Sequence, residues 1–375
     1  IHVPMVDVRT IGAGGGSIAR VNEAGLLEVG PQSAGADPGP ICYGRGGDLP
    51  TISDANMVLG RLDVGKLKSV PGAVDIEDIR RIFQARLGDP LGVDAETAAA
   101  AVLRMATTRM AGATRMVSVS LGLDPRDFSL FAFGGAGPLH ASALAGELGV
   151  PEVLVPARPG ITNALGCIVA DLRHDFVRTV NRPLDGMEID RLTGMLEHQA
   201  GEGEALIHQE PVRIEAIDVT HSLDMQFAGQ THLLSVPLES AEMTRADIQK
   251  AFEEVYYNRF RVRLPEIRAQ IVNVNTSVTG RRPEVDLAGL IDNSARAGSV
   301  AAAQTASRPV WFDGGGAESC WQDTPVYARE KLPLDARLAG PAILEQMDST
   351  ILIEPQDSAV SDDDGNIFVT VGRAS

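Results

Sequence analysis

Apolar and polar positions alternate in the first part of the chain in a way that predicts a β-hairpin. Apolar residues are concentrated at 18–21 and at 26–29. A turn at 22–25, containing Asn22 and Gly25, separates the two runs. A glycine-rich segment comes directly before the first strand, where only a residue without Cβ allows a close approach of other backbone atoms.

Further along the chain, apolar residues recur at helical spacing and predict amphipathic helices over 75–87 and 94–117. A short apolar helix is predicted over 57–62, with Ser53 or Asp54 as its N-cap. The most regular unit follows these helices. It consists of a strand, a glycine turn, a helix and a second strand, at residues 128–133, 134–138, 139–148 and 153–156. This order is the building block of a parallel sheet in an α/β fold.

The pattern changes near residue 180 and again near residue 285. Two alternating segments within 212–236, a helix over 244–260 and a further alternating segment at 269–279 predict a small α+β domain. From residue 309 onward, short apolar runs between Gly, Pro and Asp turns predict a β-rich tail. We therefore divide the chain into domains at 1–180, 181–285 and 286–375.

Charge and composition exclude several classes of function. The net charge is −17, from 33 basic and 50 acidic residues. An acidic chain lacks the basic surface that binding to nucleic acid or to an anionic membrane requires. No apolar run approaches the ~20 residues of a membrane-spanning helix. The three cysteines form no regular framework, which favours a reduced, cytoplasmic setting.

Two glycine clusters are candidates for binding a nucleotide or another anion. Gly134, Gly135, Ala136 and Gly137 lie between a predicted strand and a predicted helix, where a helix N-terminus attracts phosphate. The alternative is a tight turn that needs small residues for its own geometry. The cluster matches neither the dinucleotide fingerprint nor the P-loop, and no Lys follows it.

The second cluster is Gly14, Gly15 and Gly16, followed by Ser17. Consecutive backbone N–H groups can form an anion-binding nest, with the serine hydroxyl as an additional donor. The alternative is a β-bulge. Three successive glycines are unfavourable for conformational entropy, which favours a functional close approach.

Cys42, Asp54 and His140 form a candidate metal site. A thiolate, a carboxylate and an imidazole are ligands of zinc and of other transition metals. Each residue also has a structural explanation, as a small core residue, a helix N-cap and a first-turn residue respectively. No spacing motif connects the three residues in the sequence.

Several segments resemble the hydantoinase/oxoprolinase family. This family contains the A-type subunit of N-methylhydantoinase and the equivalent half of 5-oxoprolinase, and subunits of acetone and acetophenone carboxylases are related to it. The similar segments run in the same order over essentially the whole chain. They are VDVRTIGAGGGSIA (6–19), GPQSAGADPGP (30–40), TISDAN (51–56), FAFGGAGPLHA (131–141), AGQ (228–230), AGPAI (339–343) and DST (348–350).

The resemblance implies an actin/hexokinase-like ATP-binding core in the first domain, with Mg²⁺ as a further cofactor of the full-length enzyme. In this family, a late glycine turn contacts the adenosine, and residues 134–138 match its position. The family's phosphate hairpins, of the form DxGGTxxD, do not occur in the 375 residues. We therefore expect this chain to be the C-terminal portion of a longer A-type subunit, with an incomplete core, and not to hydrolyse ATP alone.

The resemblance implies three alternative functions. The first is ATP-dependent opening of a cyclic amide, such as a hydantoin or 5-oxoproline, through a phosphorylated amide. The second is a subunit of an ATP-dependent ketone carboxylase. The third is a non-catalytic fragment or assembly subunit. The expected partners are a B-type hydantoinase subunit in a hetero-oligomer, or the absent N-terminal segment.

Overall fold

A computed structural model of the chain describes residues 8–66, 74–264, 268–286, 289, 293–313 and 320–372. The chain forms two compact units. One unit spans Leu165–Val285. The other combines 8–164 with the described part of 286–375. Among the described residues, none of the helices is both long enough and apolar enough to span a lipid bilayer.

The larger unit begins with the predicted hairpin and a group of helices. Its first elements are strands β1 (Ser17–Val21) and β2 (Leu27–Ser33) and helices α1 (Ile52–Val58), α2 (Ile76–Phe83), α3 (Asp89–Leu91) and α4 (Ala95–Ser120). The two strands pair antiparallel, which confirms the hairpin. The helices bury a common core that includes Met57, Phe83 and Val102.

The predicted strand–turn–helix–strand unit is present. It contains β3 (Leu130–Phe131), α5 (Gly137–Leu148) and β4 (Glu152–Val155), and α6 (Thr162–Val169) follows it. The strands β3 and β4 are parallel neighbours, as the pattern predicts. The strand β3 is shorter than predicted, because only two of its residues pair with β4.

The described part of the smaller unit contains an antiparallel sheet with two long helices. Its elements are β5 (Leu172–Pro183), α7 (Ile189–Gln209), β6 (Ala216–Phe227), β7 (Leu234–Leu238), α8 (Arg245–Phe260) and β8 (Ala269–Arg281). The strand order is β5-β8-β6-β7. Both helices contribute to one core with the sheet, in which the rings of Phe227 and Phe252 lie 4.8 Å apart. This is the α+β arrangement that the alternating pattern predicts.

The described part of the C-terminal segment adds a short helix and seven strands to the larger unit. They are α9 (Val300–Ala303), β9 (Gln304–Phe312), β10 (Cys320–Ala328), β11 (Arg337–Ala339), β12 (Ala342–Glu345), β13 (Thr350–Ile353), β14 (Ser358–Ser361) and β15 (Ile367–Thr370). The strands β9, β10, β12 and β13 form one sheet, and the others extend the sheet that contains β3 and β4.

This arrangement differs from the division made on the sequence, which assigns 286–375 to a domain of its own. The strand β15 pairs antiparallel with β4, with Ile367 opposite Val155. The apolar side chains of the C-terminal strands share one core with α5 and β4. The C-terminal segment therefore completes a sheet whose first two strands come from the middle of the chain.

Candidate functional site

The glycine segment before β1 is held in place by its own hydrogen bonds. The backbone N–H of Gly14 donates to the Ser17 hydroxyl at 3.0 Å, and the N–H of Ser17 donates to the Gly14 carbonyl at 2.9 Å. Ser17 is buried. Its hydroxyl therefore closes the turn, and the Gly14 N–H is not free for the anion nest that the sequence suggests.

Gly15 lies directly against the start of α1. The N–H of Ser53, at the start of α1, donates to the Gly15 carbonyl at 2.9 Å. A Cβ at Gly15 would lie 2.7 Å from the Ser53 hydroxyl, closer than real side chains approach. The close contact with α1 thus fixes the path of the segment. In contrast, a Cβ at Gly14 would meet no atom within 4 Å.

The second glycine segment forms the turn between β3 and α5. Gly134 has φ = +82°, a left-handed conformation that favours glycine. Its N–H donates to the Pro159 carbonyl at 2.7 Å, and its carbonyl accepts from the Ser349 hydroxyl at 3.3 Å. The turn is therefore anchored by two other segments of the chain before α5 begins.

The helix α5 begins at Gly137 without a side-chain cap. Its N-cap residue is Ala136, which has no group that accepts a hydrogen bond from the first turn. The first N–H groups of a helix have no partner within the helix and carry a partial positive charge. Pro138 has no N–H, and the N–H of Leu139 donates to the Ala136 carbonyl at 3.2 Å, so it is the N–H of Gly137 that can donate to a ligand here.

The two glycine segments line one cavity of about 240 Å³. Gly14 and Gly15 lie in its wall, and so do Ala136 and Gly137. The other four predicted nucleotide-binding residues, Gly16, Ser17, Gly134 and Gly135, are not among the residues that line it. The fold therefore brings together two segments that are far apart in the sequence.

The remaining lining of this glycine cavity is almost entirely apolar. It consists of Ala13, Ile52, Ala106, Met110, Leu130, Phe131, Ala132, Phe133, His140, Ala141 and Leu144. The rings of Phe131 and Phe133 lie 5.4 Å apart and are 46% and 39% exposed, so they are available to stack on a flat ligand. Among the described lining residues, His140 is the only one with a titratable side chain.

His140 lies in the first turn of α5 and is half-buried. Burial, with a contribution from the positive charge of Arg61, lowers the pKa of His140 to about 4. The imidazole is therefore neutral at physiological pH. In this form one ring nitrogen donates a hydrogen bond and the other accepts one.

The predicted metal site is wrong. The described residues contain no group of three or more His, Cys, Asp or Glu side chains placed to hold a metal ion. Asp54 instead accepts from the N–H groups of Ile41 at 3.2 Å and Cys42 at 2.8 Å. It also accepts from the N–H and the hydroxyl of Thr51, at 2.9 and 2.7 Å.

These contacts explain why Cys42 and Asp54 do not serve as ligands. Thr51 and Asp54 form the capping box of α1, which places the N-cap at Thr51 and not at the predicted Ser53 or Asp54. Burial raises the pKa of the Cys42 thiol well above its usual range, so the thiol keeps its proton. Both residues hold the segment around 41–54 in place.

Residues 1–176 match the hydantoinase/oxoprolinase family, and residues 194–369 match the hydantoinase/oxoprolinase C-terminal domain. These two matches cover most of the chain. The chain belongs to the hydantoinase/oxoprolinase family. This result confirms the resemblance found in the sequence segments.

Two relatives of known function show how similar the chain is to other proteins. Caprolactamase subunit alpha of Pseudomonas jessenii is 34% identical over 364 residues, which are 95% of this chain and 51% of the relative. Acetophenone carboxylase gamma subunit of Aromatoleum aromaticum is 29% identical over 387 residues, which are 95% of this chain and 50% of the relative. The chain thus spans about half the length of these relatives.

The fold agrees with a solved structure of the family. The crystal structure of ATP-dependent caprolactamase from Pseudomonas jessenii superposes with a TM-score of 0.80 at 32% identity. The match covers 100% of this chain and 54% of that one. The α/β class predicted from the sequence is therefore confirmed.

The apolar lining of the glycine cavity has no local signature in the sequence. Phe131 and Phe133 fall in the predicted strand 128–133, and Met110 falls in the predicted helix 94–117. Their spacing in the sequence gives no sign that they share a cavity. Their exposure in the fold is the signal, because large apolar side chains at a concave surface mark binding sites.

Proposed function

We propose that this chain is part of an ATP-dependent enzyme that opens cyclic amides, and that the glycine cavity holds the adenosine part of ATP. The observation that carries the proposal is the convergence of Gly14, Gly15, Ala136 and Gly137 on one cavity at the N-terminus of α5. The similarity to caprolactamase supports the class of reaction.

The lining of the cavity suits a nucleoside better than a triphosphate. Its volume of about 240 Å³ is below the range of roughly 300–1,000 Å³ typical of sites for drug-sized ligands, so it fits one part of a nucleotide. The exposed rings of Phe131 and Phe133 can stack on a purine. The neutral imidazole of His140 can form one hydrogen bond with the base or the ribose.

The cavity does not suit Mg²⁺ or zinc. None of its described lining residues carries a carboxylate or a thiol, and His140 offers a single imidazole, which alone does not make a zinc site. We therefore assign no step to a metal ion in this part of the protein. The phosphate groups of ATP would extend beyond the lining residues that the structure describes.

In the proposed reaction, ATP would activate the amide and the protein would position the reactants. ATP would supply a phosphoryl group to the amide oxygen, which makes the ring carbon electrophilic towards water. The residues of this chain would orient the adenosine, exclude water from its apolar face and present the N–H of Gly137 at the start of α5. Positioning of this kind is the main contribution of a protein to phosphoryl transfer.

We further propose an actin/hexokinase-like core, a B-type partner subunit and a cytoplasmic setting. The subunit names of the relatives support the hetero-oligomer. A ketone carboxylase subunit is the second candidate, and the acetophenone carboxylase gamma subunit, at 29% identity, favours it.

Filling the glycine cavity tests the proposal. A Cβ at Gly137 would meet no atom within 4 Å, so Gly137→Val places its side chain in open space at the start of α5. We expect ATP affinity, measured by calorimetric titration, to fall at least tenfold, because the added side chain occupies the ligand's volume. The matched control is Gly112→Val, in α4, where a Cβ also has open space and which is not among the residues that line the glycine cavity.

Two results would count against the proposal. If the wild type and a correctly folded Gly137→Val variant bound ATP with equal affinity, the nucleotide would not bind in this cavity. Phosphate release by the full-length protein that requires bicarbonate and a ketone, and that a lactam does not stimulate, would favour the carboxylase.

A further inference from the structure

A second cavity, of about 800 Å³, lies in the same compact unit, and His140 lines it as well as the glycine cavity. Its walls carry both positively and negatively charged groups. Most of these are exposed, such as Arg104, which pairs with Asp313 at 2.9 Å with side chains 67% and 48% exposed. Water screens the charges of exposed pairs of this kind, so the attraction between them is weak.

One charged pair in this cavity is different, because it is buried. The side chains of Arg61 and Glu354 are only 10% and 14% exposed. Their closest atoms, Nη1 and Oε1, are 3.7 Å apart, which is longer than the roughly 2.7–3.2 Å of a hydrogen bond. The Nε of Arg61 has no hydrogen-bond partner among the described residues. The two groups therefore lie side by side without satisfying each other.

The backbone holds both residues in fixed positions. The Arg61 N–H donates to the Asn56 carbonyl at 2.9 Å, and the Arg61 carbonyl accepts from the Arg308 guanidinium at 3.0 Å. The Glu354 carbonyl accepts from the Asp357 N–H at 2.9 Å. These bonds fix the backbone of both residues, and burial of the two side chains limits their further motion, so they can recognise a ligand with little loss of entropy.

A buried donor beside a buried acceptor is complementary to the edge of a cyclic amide. The ring of a lactam forces the amide into the cis form, so its carbonyl oxygen and its N–H lie on the same edge. The guanidinium has only donors, and the carboxyl group supplies the acceptor. A carboxylate ligand fits less well, because it has no N–H for Glu354 and carries the same charge.

We propose that the cavity containing Arg61 and Glu354 is the site for the cyclic amide, with Arg61 donating to the amide oxygen and Glu354 accepting from the amide N–H. This inference rests on the proposed function. It places the amide and the adenosine in two cavities that share His140 in their walls. It also selects secondary cyclic amides as the substrate class.

The first test compares two ligands of nearly identical shape on the wild-type chain. In 2-pyrrolidone the ring contains an amide N–H, and in γ-butyrolactone an oxygen replaces it. We expect saturation-transfer NMR titrations to give at least about tenfold tighter binding for 2-pyrrolidone, because a hydrogen bond to a charged group is lost in the lactone. Equal affinity of the two rings, or no binding of 2-pyrrolidone, would overturn the proposal.

The second test replaces the pair with apolar side chains of similar length. Removing one partner alone would leave a buried charge unpaired and destabilise the protein, whereas replacing both partners is often neutral. We therefore choose the double variant Arg61→Met with Glu354→Met, and Arg115→Met as the control. Arg115 is 47% exposed and does not line the cavity.

The double variant is expected to lose the preference for 2-pyrrolidone over the lactone, and the control is expected to keep it. An unchanged preference in a folded double variant would overturn the proposal.

ATP titration of the same samples separates the two proposals. ATP binding without the lactam preference refutes only the amide site, whereas the lactam preference without ATP binding refutes the nucleotide site. If the double variant does not fold, the comparison of the two rings on the wild type decides.

Discussion

At the scale of single residues, His140 in the first turn of α5 makes the stability of the protein depend on pH. Its pKa is about 4 in the folded chain and ~6.5 in an unfolded one. Between these pH values the unfolded chain binds a proton that the folded chain does not bind. The free energy of unfolding should therefore fall as the pH decreases from about 6.5 to about 4. The contribution of His140 to this loss is up to about 3 kcal/mol.

Urea denaturation measures this effect directly. We expect the wild type to lose more stability than His140→Gln between about pH 7.5 and about pH 4.5, because glutamine takes up no proton in this range. His198→Gln is the matched control, since His198 is exposed in the middle of α7. If the free energies of unfolding of the wild type and His140→Gln changed in parallel with pH, this histidine would not be the cause of the acid sensitivity.

Two of the predicted metal ligands, Cys42 and Asp54, have a structural role instead. Cys42 and Asp54 have ligand-type side chains, but Asp54 already accepts from four donors. The spacing of Thr51 and Asp54 is that of a capping box, which is a signal that the sequence does contain. By contrast, Arg61 and Glu354 meet only through the fold, and no local pattern predicts their contact.

At the scale of elements, the strand β15 stabilises the sheet that contains β3, the strand that precedes the glycine turn. Ile367 is 2% exposed and shares a core with Val153 and Val155 of β4. We expect Ile367→Ala to lower the free energy of unfolding by about 2–5 kcal/mol, since it leaves a cavity in this core. Chemical denaturation followed by circular dichroism would measure the change.

Thr370, on the same strand, provides the control for this prediction. It is exposed, and Thr370→Ala should change stability by no more than about 0.5 kcal/mol. If the two variants were equally stable, β15 would not contribute to the core as the structure indicates.

Elements defined by local signals were predicted well. The hairpin of β1 and β2 and the parallel pair of β3 and β4 follow from spacing and turn residues. The start of α1 was predicted several residues late, because its capping box was not recognised. The pairing of β15 with β4 could not be predicted, since it joins segments that are far apart in sequence and leaves no local pattern.

At the scale of the whole molecule, long-range pairing decides how the chain divides into units. The compact unit Leu165–Val285 begins before the predicted middle domain, 181–285, and contains the whole of β5. The glycine cavity belongs to the other unit, and its two glycine segments come from residues 13–15 and 136–137. Composition suggested both segments as sites, but only the fold brings them to the same cavity.

The same division predicts how isolated parts of the chain behave. Residues 165–285 contain a complete four-stranded sheet and a core of their own, so this segment should fold alone. Residues 286–375 should not, because β15 pairs with β4 and the apolar side chains of these strands share a core with α5. We expect cooperative urea unfolding, measured by circular dichroism, for the first segment and none for the second. Cooperative unfolding of isolated 286–375 would mean that the C-terminal strands form an independent domain, as the sequence pattern alone suggests.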